Sequence, residues 1–292
     1  MLKNRITGEV QVETVFGDKV LRFCYETLLG RGLWGFLFNT SFLSKLFGLY
    51  YDSFLSRKAI RSLASIPGCN AAEAELPPEE YSSFNAFFTR KLKKGSRPSD
   101  PDPIRISSPA DGRIFVYRSL PENAPVPVKG AEKTLNMLCC GLLPEGKKYA
   151  VAVIRLAPVD YHRYHFPCDC IQESVPLVVR GKYHSVNPVA LAKRPDLFVE
   201  NTRQITTLFS SDCGKFYFLE VGAFGVGSIV QTSVPGRHCK QDEKGYFKFG
   251  GSTVILIFED EKIRWDEDLL KNTAEGMETL ILCGASIATL KK

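Results

Sequence analysis

Apolar and polar positions alternate with two different periods along the chain. Leu43, Leu46, Phe47, Tyr50, Tyr51 and Phe54 recur at steps of three and four, which lines them along one face of a helix, and Arg57, Lys58 and Arg61 follow at once. An aromatic and leucine face with basic residues at its end suits a helix lying in a lipid headgroup layer, and equally a helix packed on its own domain. Ahead of it, the uncharged run at residues 32–44 is interrupted by Asn39, Thr40 and Ser41. It falls short of the roughly 18 to 20 residues of a spanning helix, so no transmembrane segment is expected. Pro67-Gly68 and Pro77-Pro78 break residues 65–81 into a loop, and residues 82–92 form a short helix with Phe84, Phe87 and Phe88 apolar, ended by Gly95 and Pro98. From Ile104 the texture changes. Residues 113–117, 149–156, 175–179, 216–221, 227–232, 246–249 and 253–259 are short runs rich in Val, Ile, Phe and Tyr, separated by turn residues. The expected fold is α+β, with a helical region over residues 1–100 and a β-rich, sandwich- or barrel-like domain over residues 101–292.

Composition changes this picture little. With 292 residues, 44% hydrophobic and 24% charged, disordered and fibrous classes drop out. The balance of 38 Lys+Arg against 32 Asp+Glu gives +6, too weak to indicate nucleic acid, but compatible with an anionic membrane surface or phosphate-bearing ligands. Nine cysteines, and a polar segment over residues 1–14 with no apolar core of a secretory signal, point to free thiols in a reducing, cytoplasmic environment.

Three short segments could carry chemistry. In Gly250-Gly251-Ser252-Thr253, two glycines between strands free the backbone, and a serine hydroxyl placed after them can attack the preceding carbonyl. Attack gives an ester, β-elimination leaves dehydroalanine, and hydrolysis yields a pyruvoyl group and ammonia. The same four residues also suit a hairpin turn. In Asp160-Tyr161-His162-Arg163-Tyr164-His165, a neutral imidazole could take the Ser252 proton or exchange a proton with a substrate carbon. His162, His165, Cys168 and Cys170 have the side-chain types of a zinc site but lack its usual two spaced pairs, so no metal is expected. In Ser108-Pro109-Ala110-Asp111-Gly112, Asp111 could bond its own backbone in a turn or orient a histidine.

Taken in order, the segments resemble the phosphatidylserine decarboxylase family. The resemblance rests on Phe84-Asn85-Ala86-Phe87-Phe88-Thr89-Arg90 with Arg97-Pro98, Ser108-Pro109-Ala110-Asp111-Gly112, Asp160-Tyr161-His162-Arg163-Tyr164-His165 and Tyr183-His184-Ser185-Val186-Asn187-Pro188. It closes with Asn201-Thr202-Arg203, Val226-Gly227-Ser228-Ile229 and Gly251-Ser252-Thr253. Gly250 stands where many relatives carry Leu or Val. The resemblance implies self-cleavage between Gly251 and Ser252 into a β chain and an α chain that stay together as a heterodimer. It implies a relay of Asp111, His165 and Ser252 for that processing, with His162 handling substrate. It also implies that the pyruvoyl group from Ser252 forms a Schiff base with phosphatidylserine, releasing carbon dioxide and phosphatidylethanolamine, with no metal or external cofactor. Arg163 and the basic residues near Lys91 are candidates to hold the lipid phosphate. The 1–100 region would then be membrane-associating, the 101–292 domain catalytic, and the protein peripheral on the cytoplasmic side of the cell membrane. Two other readings are a decarboxylase of another serine-headed lipid, such as archaetidylserine, and a non-enzymatic zinc- or lipid-binding module.

Overall fold

Residues 148–156 and 252–259 are near-continuous apolar runs, the pattern of strands covered on both faces. The computed structural model describes residues 1–11, 27, 41–186, 188–223, 229–249 and 252–291, and in it those runs form β5 (Lys148–Leu156) and β14 (Ser252–Glu259). They pair with each other, and β14 pairs on its other side with β10 (Gly214–Gly222). These three are the centre of an eleven-stranded sheet. Its order is β12 (Gly236–His238), β7 (Cys170–Gln172), β9 (Arg203–Ser210), β10, β14, β5, β4 (Gly112–Pro121), β16 (Glu278–Ile281), β1 (Leu2–Asn4) and β2 (Val10–Gln11), with β8 (Leu177–Val179) also pairing with β9. Two three-stranded sheets accompany it: β11 (Ile229–Gln231), β13 (Glu243–Phe247) and β6 (Arg163–His165) in one, and β15 (Ile263–Trp265), β17 (Ser286–Leu290) and β3 (Arg105–Ser107) in the other.

The strand period of two sorts the central side chains between two cores. Val254, Leu256 and Phe258 join Phe216, Phe218, Ala152 and Ile154 in a cluster with Tyr164, Phe166, Phe247, Trp265 and Ile287. Ile255 and Ile257 join Tyr217, Leu219, Val221, Val151 and Val153 in a second cluster with Leu135, Leu138 and Phe198. A slip of one residue in β14 would exchange these faces, so the register is fixed from both sides.

The fold is α+β with a large sheet-dominated body. Strand expectations over residues 113–117, 149–156, 216–221 and 253–259 coincide with β4, β5, β10 and β14, and 246–249 overlaps β13. β9 was not expected. Its sequence RQITTLFS mixes polar residues into a buried strand, and only its pairing with β10 and β7 reveals it. Residues 1–100, expected to be helical, also contain β1 and β2. Leu2–Asn4 lies parallel to Glu278–Leu280, with Leu2 buried.

Helix α1 (Ser41–Asp52) covers most of the predicted amphipathic segment, while residues 32–40 lie outside the described residues. The helix stops two residues before Phe54: Ser53 donates from both its amide and its hydroxyl to the Tyr50 carbonyl, and Phe54–Arg57 forms a separate 3₁₀ turn. After α2 (Lys58–Ala64) and a loop comes α3 (Phe84–Phe88), capped by Ser83, whose hydroxyl accepts from the Ala86 amide. Ile60, Leu63, Tyr81, Phe84, Phe87 and Phe88 form a third core, onto which Tyr51 and Phe249 pack. Among the described residues, no helix is long and apolar enough to cross a membrane.

Between the eleven-stranded sheet and the β11–β13–β6 sheet lies a fully buried ion pair. Lys244 Nζ of β13 donates to Glu220 Oε1 of β10 at 2.5 Å and to Gln231 Oε1 of β11 at 2.9 Å, and both charged side chains are 0% exposed. Gln231 in turn donates to Gln204 of β9 at 2.8 Å. Removing one charge strands the other in the core, whereas removing both leaves an apolar contact. Lys244→Ala is therefore expected to cost about 3–5 kcal/mol, read as a lower denaturant midpoint. Glu220→Leu with Lys244→Met should recover most of that loss; a double variant as unstable as the single one would refute the account.

Candidate functional site

Ser252 is the first residue of β14, paired with Gly222 of β10 on one side and Leu156 of β5 on the other. It shares parity with Val254 and Leu256, so its side chain lies on the face covered by the sheet that carries β6. The residue is 0% exposed, and its hydroxyl has no hydrogen-bond partner among the described residues. The hydroxyls of Thr206 and Thr253 are likewise buried and without a partner among the described residues, so what marks Ser252 is its place directly after the Gly-Gly pair. Gly250 and Gly251, on which the cleavage expectation also falls, lie outside the described residues.

The two histidines of the Asp160–His165 segment have unlike surroundings. His162, just before β6, is fully buried, its ring centroid 3.8 Å from that of Phe88. Neither ring nitrogen has a hydrogen-bond partner among the described residues. Burial, assisted by the positive charges of Arg90 and Arg113, holds its pKa well below the ordinary histidine value, so the ring is neutral. His165, the last residue of β6, is held on both sides. Its Nδ1 meets the Gln241 carbonyl at 2.9 Å and its Nε2 meets the Tyr161 hydroxyl at 3.1 Å. A carbonyl can only accept, so Nδ1 carries the hydrogen and Nε2 presents its lone pair to Tyr161. Burial lowers the His165 pKa as well, with the Gln241 carbonyl pulling the other way. Gln241 itself has φ of 73°, an uncommon backbone state for a residue with a side chain, adopted beside the imidazole it orients.

Asp111 does not bond to His165. Its two oxygens accept from Arg97 Nε at 2.8 Å and Nη2 at 2.7 Å, and one also accepts from the Cys283 amide at 2.8 Å. It remains close enough to favour the protonated form of His165 electrostatically, and His165 donates its amide to Pro109, two residues before Asp111. The Asp-Gly pair is not a turn of the kind expected. Gly112 opens β4, and a Cβ there would lie 2.7 Å from the Arg155 carbonyl, so glycine allows β4 to approach β5 closely.

The other motifs converge on the same strands. The Asn201 amide donates to the carbonyls of His184, at 2.7 Å, and of Gly222, at 2.9 Å, tying the 183–186 segment to the direct partner of Ser252. Asp160 pairs with Arg113 and accepts from the Ala157 amide at 2.6 Å, closing the loop that leads to His162. Arg163 is engaged with Glu243 and with the Thr89 carbonyl. Among the described residues, no group of three His, Cys, Asp or Glu side chains is arranged to hold a metal; Cys168 and Cys170 lie in the first core. Arg97, Tyr161, Gln241 and the Lys244–Glu220 pair escaped sequence reasoning. Arg97 and Tyr161 sit inside quoted motifs, but nothing local indicates which partner each would meet.

A buried serine directly after a Gly-Gly pair, and two histidines that burial holds below their ordinary pKa, supply the parts of a nucleophile-and-base enzyme site within a β-rich body. The family model for phosphatidylserine decarboxylase matches residues 84–287. The chain is 40% identical to phosphatidylserine decarboxylase proenzymes of Clostridium novyi (strain NT), over 98% of each chain, and of Clostridium botulinum (strain 657 / Type Ba4), over 99% of this chain and 98% of that one. It is also 40% identical to the proenzyme of that name from Ruminiclostridium cellulolyticum, over 97% of this chain and 95% of the relative. This chain belongs to the phosphatidylserine decarboxylase family.

The depressed His162 pKa has a consequence for stability. The unfolded chain takes up a proton at this residue below about pH 6.5, while the folded chain does not, so the stabilising difference is present above that pH and is lost as pH falls. His162→Gln should flatten the decline in melting temperature between pH 7 and pH 5. An unchanged slope would show that the imidazole is not held neutral.

Proposed function

We propose that this chain is the precursor of a pyruvoyl-dependent phosphatidylserine decarboxylase that cleaves itself between Gly251 and Ser252. The observation that carries the reading is the buried Ser252 hydroxyl at the head of β14, directly after the Gly-Gly pair, in a chain whose relatives are named proenzymes. Ser252 Oγ attacks the Gly251 carbonyl carbon and the Gly251–Ser252 C–N bond breaks, giving an ester. Loss of the Ser252 Cα proton then breaks the Cβ–O bond and expels Gly251 as a carboxylate that keeps the serine oxygen, and water hydrolyses the dehydroalanine left behind to a pyruvoyl group and ammonia. His165 is the base for the Ser252 proton: its ring is neutral, the Gln241 carbonyl fixes Nδ1–H, and the basic Nε2 takes the proton once the Tyr161 hydroxyl it accepts from moves aside. Asp111, locked by Arg97 and the Cys283 amide, supplies negative charge that stabilises the His165 cation once formed. Cleavage leaves the β chain to Gly251 and the α chain from Ser252 joined as a heterodimer, since β14 remains paired between β5 and β10.

The residues fit a pyruvoyl group at position 252. The position is dry, lies between two strands, and leaves the hydroxyl free to be consumed. Such a group supplies an electron sink for the pair left when carbon dioxide departs. The neutral His162, walled by Phe88, carries one ring N–H; it hands that hydrogen to the substrate carbon, giving phosphatidylethanolamine, and recovers it from solvent when the product leaves. Its apolar surroundings keep water from that exchange.

The substrate's acyl chains stay in the bilayer, so the protein must reach the membrane. Leu49, Phe54 and Leu55 are 69%, 70% and 73% exposed, Leu46, Phe47 and Tyr50 are also exposed, and Arg57, Lys58 and Arg61 lie beside them. An exposed apolar patch bordered by cations supports peripheral docking on an anionic surface, at the cytoplasmic side of the cell membrane.

Intact mass spectrometry tests the first reading. The wild type should give two fragments, the smaller beginning with pyruvoyl, while Ser252→Ala stays whole; cleavage in that variant would refute the site. His165→Ala and Asp111→Asn should both slow cleavage, and normal cutting in either removes it from the relay. Leu49→Asp with Phe54→Asp should weaken binding to phosphatidylserine-containing vesicles about tenfold or more, since each exposed apolar side chain buries on the order of 1.5–3 kcal/mol. Cleavage should be spared, and unchanged vesicle binding would refute docking by this patch.

A further inference from the structure

Phe249, two residues before the Gly251–Ser252 bond, is held by one side chain from a distant part of the chain. Asn85 of α3 accepts the Phe249 amide hydrogen on its Oδ1 at 3.0 Å, and donates from Nδ2 to Asp52 Oδ1, the last residue of α1, at 3.0 Å. Asn85 is buried, although Asp52 at the far end of the second bond is exposed. The second Asp52 oxygen takes the Lys248 ammonium at 2.7 Å. The Phe249 ring closes the arrangement, with centroids 4.6 Å from Tyr51, 4.9 Å from Phe84 and 5.2 Å from Phe88. Residues 248 and 249 are thus fixed by α1 and α3, while Ser252 is fixed separately between β5 and β10. An attack by Oγ on the preceding carbonyl demands both ends in register, and a misplacement of about 1 Å can cost on the order of a hundredfold in rate.

We infer that Asn85, backed by Asp52, is a positioning residue for self-cleavage: it sets the strand end that leads to the scissile bond against the strand that carries Ser252. The inference rests on the cleavage reading above. It goes beyond that reading in assigning a role to a residue outside the Asp111, His165 and Ser252 set. Asn85 fits the task because an amide can accept from the Phe249 N–H and donate to a carboxylate at the same time. Aspartate keeps the acceptor but puts a second carboxylate against Asp52, and alanine loses both contacts.

Cleavage of the full chain can be followed after cell-free synthesis, as the fraction of whole chain against time. Asn85→Ala and Asn85→Asp should each slow it about tenfold or more, from the loss of one or two hydrogen bonds of a buried side chain. Asn85→Asp combined with Asp52→Asn keeps the bond from the Phe249 amide and restores the bond between positions 85 and 52 with donor and acceptor exchanged, and should return the rate to within about threefold of wild type. Ser83→Ala, which removes the cap of α3 without touching Phe249, measures what mere loosening of the helix does; it should slow cleavage less than Asn85→Ala at equal loss of melting temperature. Wild-type rates in Asn85→Ala, an exchange variant as slow as Asn85→Asp, or equal slowing by Ser83→Ala would each overturn the assignment. A wild-type chain that never cuts would instead overturn the cleavage reading itself, and with it this role for Asn85.

Discussion

Burial of β14 on both faces is the constraint on which the rest of the structure depends. β14 is hydrogen-bonded to β10 and β5, and its alternate side chains enter two separate cores. Neither neighbour can shift without moving apolar residues in both layers. Ser252 inherits this rigidity as the first residue of the strand, which gives the serine a defined position with no partner for its hydroxyl among the described residues. A nucleophile made inert by a strong hydrogen bond would need that bond broken before reacting; here the strand backbone holds the position instead.

Around this strand, the polar groups are organised by where each can find a partner. Asp111 meets Arg97 and a backbone amide, His165 meets a carbonyl and a phenol, and Asn201 bridges two carbonyls. His162 is the exception, placed against Phe88 with neither nitrogen bonded among the described residues. Such an imidazole stays neutral because its cation would be stranded in a dry site beside Arg90 and Arg113. The two histidines, three residues apart, therefore differ in kind. One is oriented by fixed partners, and the other is open to whatever enters.

The helical segments serve the same centre from outside. The end of α1 supplies Tyr51 and Asp52 to the surroundings of Phe249, while Leu46, Phe47, Leu49 and Tyr50 meet solvent with an apolar surface. One short helix thus faces both the approach to Ser252 and the exterior. Phe84 and Phe88 of α3 complete the wall between them, so the first hundred residues are packed into the site as well as against it.

Much of this was legible in the chain itself. The apolar runs of β5 and β14, the aromatic helix near residue 50, and the Gly-Ser, His-x-x-His and Pro-Ala-Asp-Gly segments carry their own local patterns, because period and turn chemistry act over a few residues. The order of those segments also gave the family. β9 and β1 were not legible, since a strand with polar residues or only three positions is defined by the strand it pairs with. Nor could the sequence assign Arg97 to Asp111, Gln241 to His165, Lys244 to Glu220 or Asn85 to Phe249, pairs separated by 14, 76, 24 and 164 positions. The sequence determined which chemical groups are present and where the chain can bend or extend. Only tertiary packing decided which of them meet, because a hydrogen bond or ion pair between distant residues is selected by the shape of the core that brings them together.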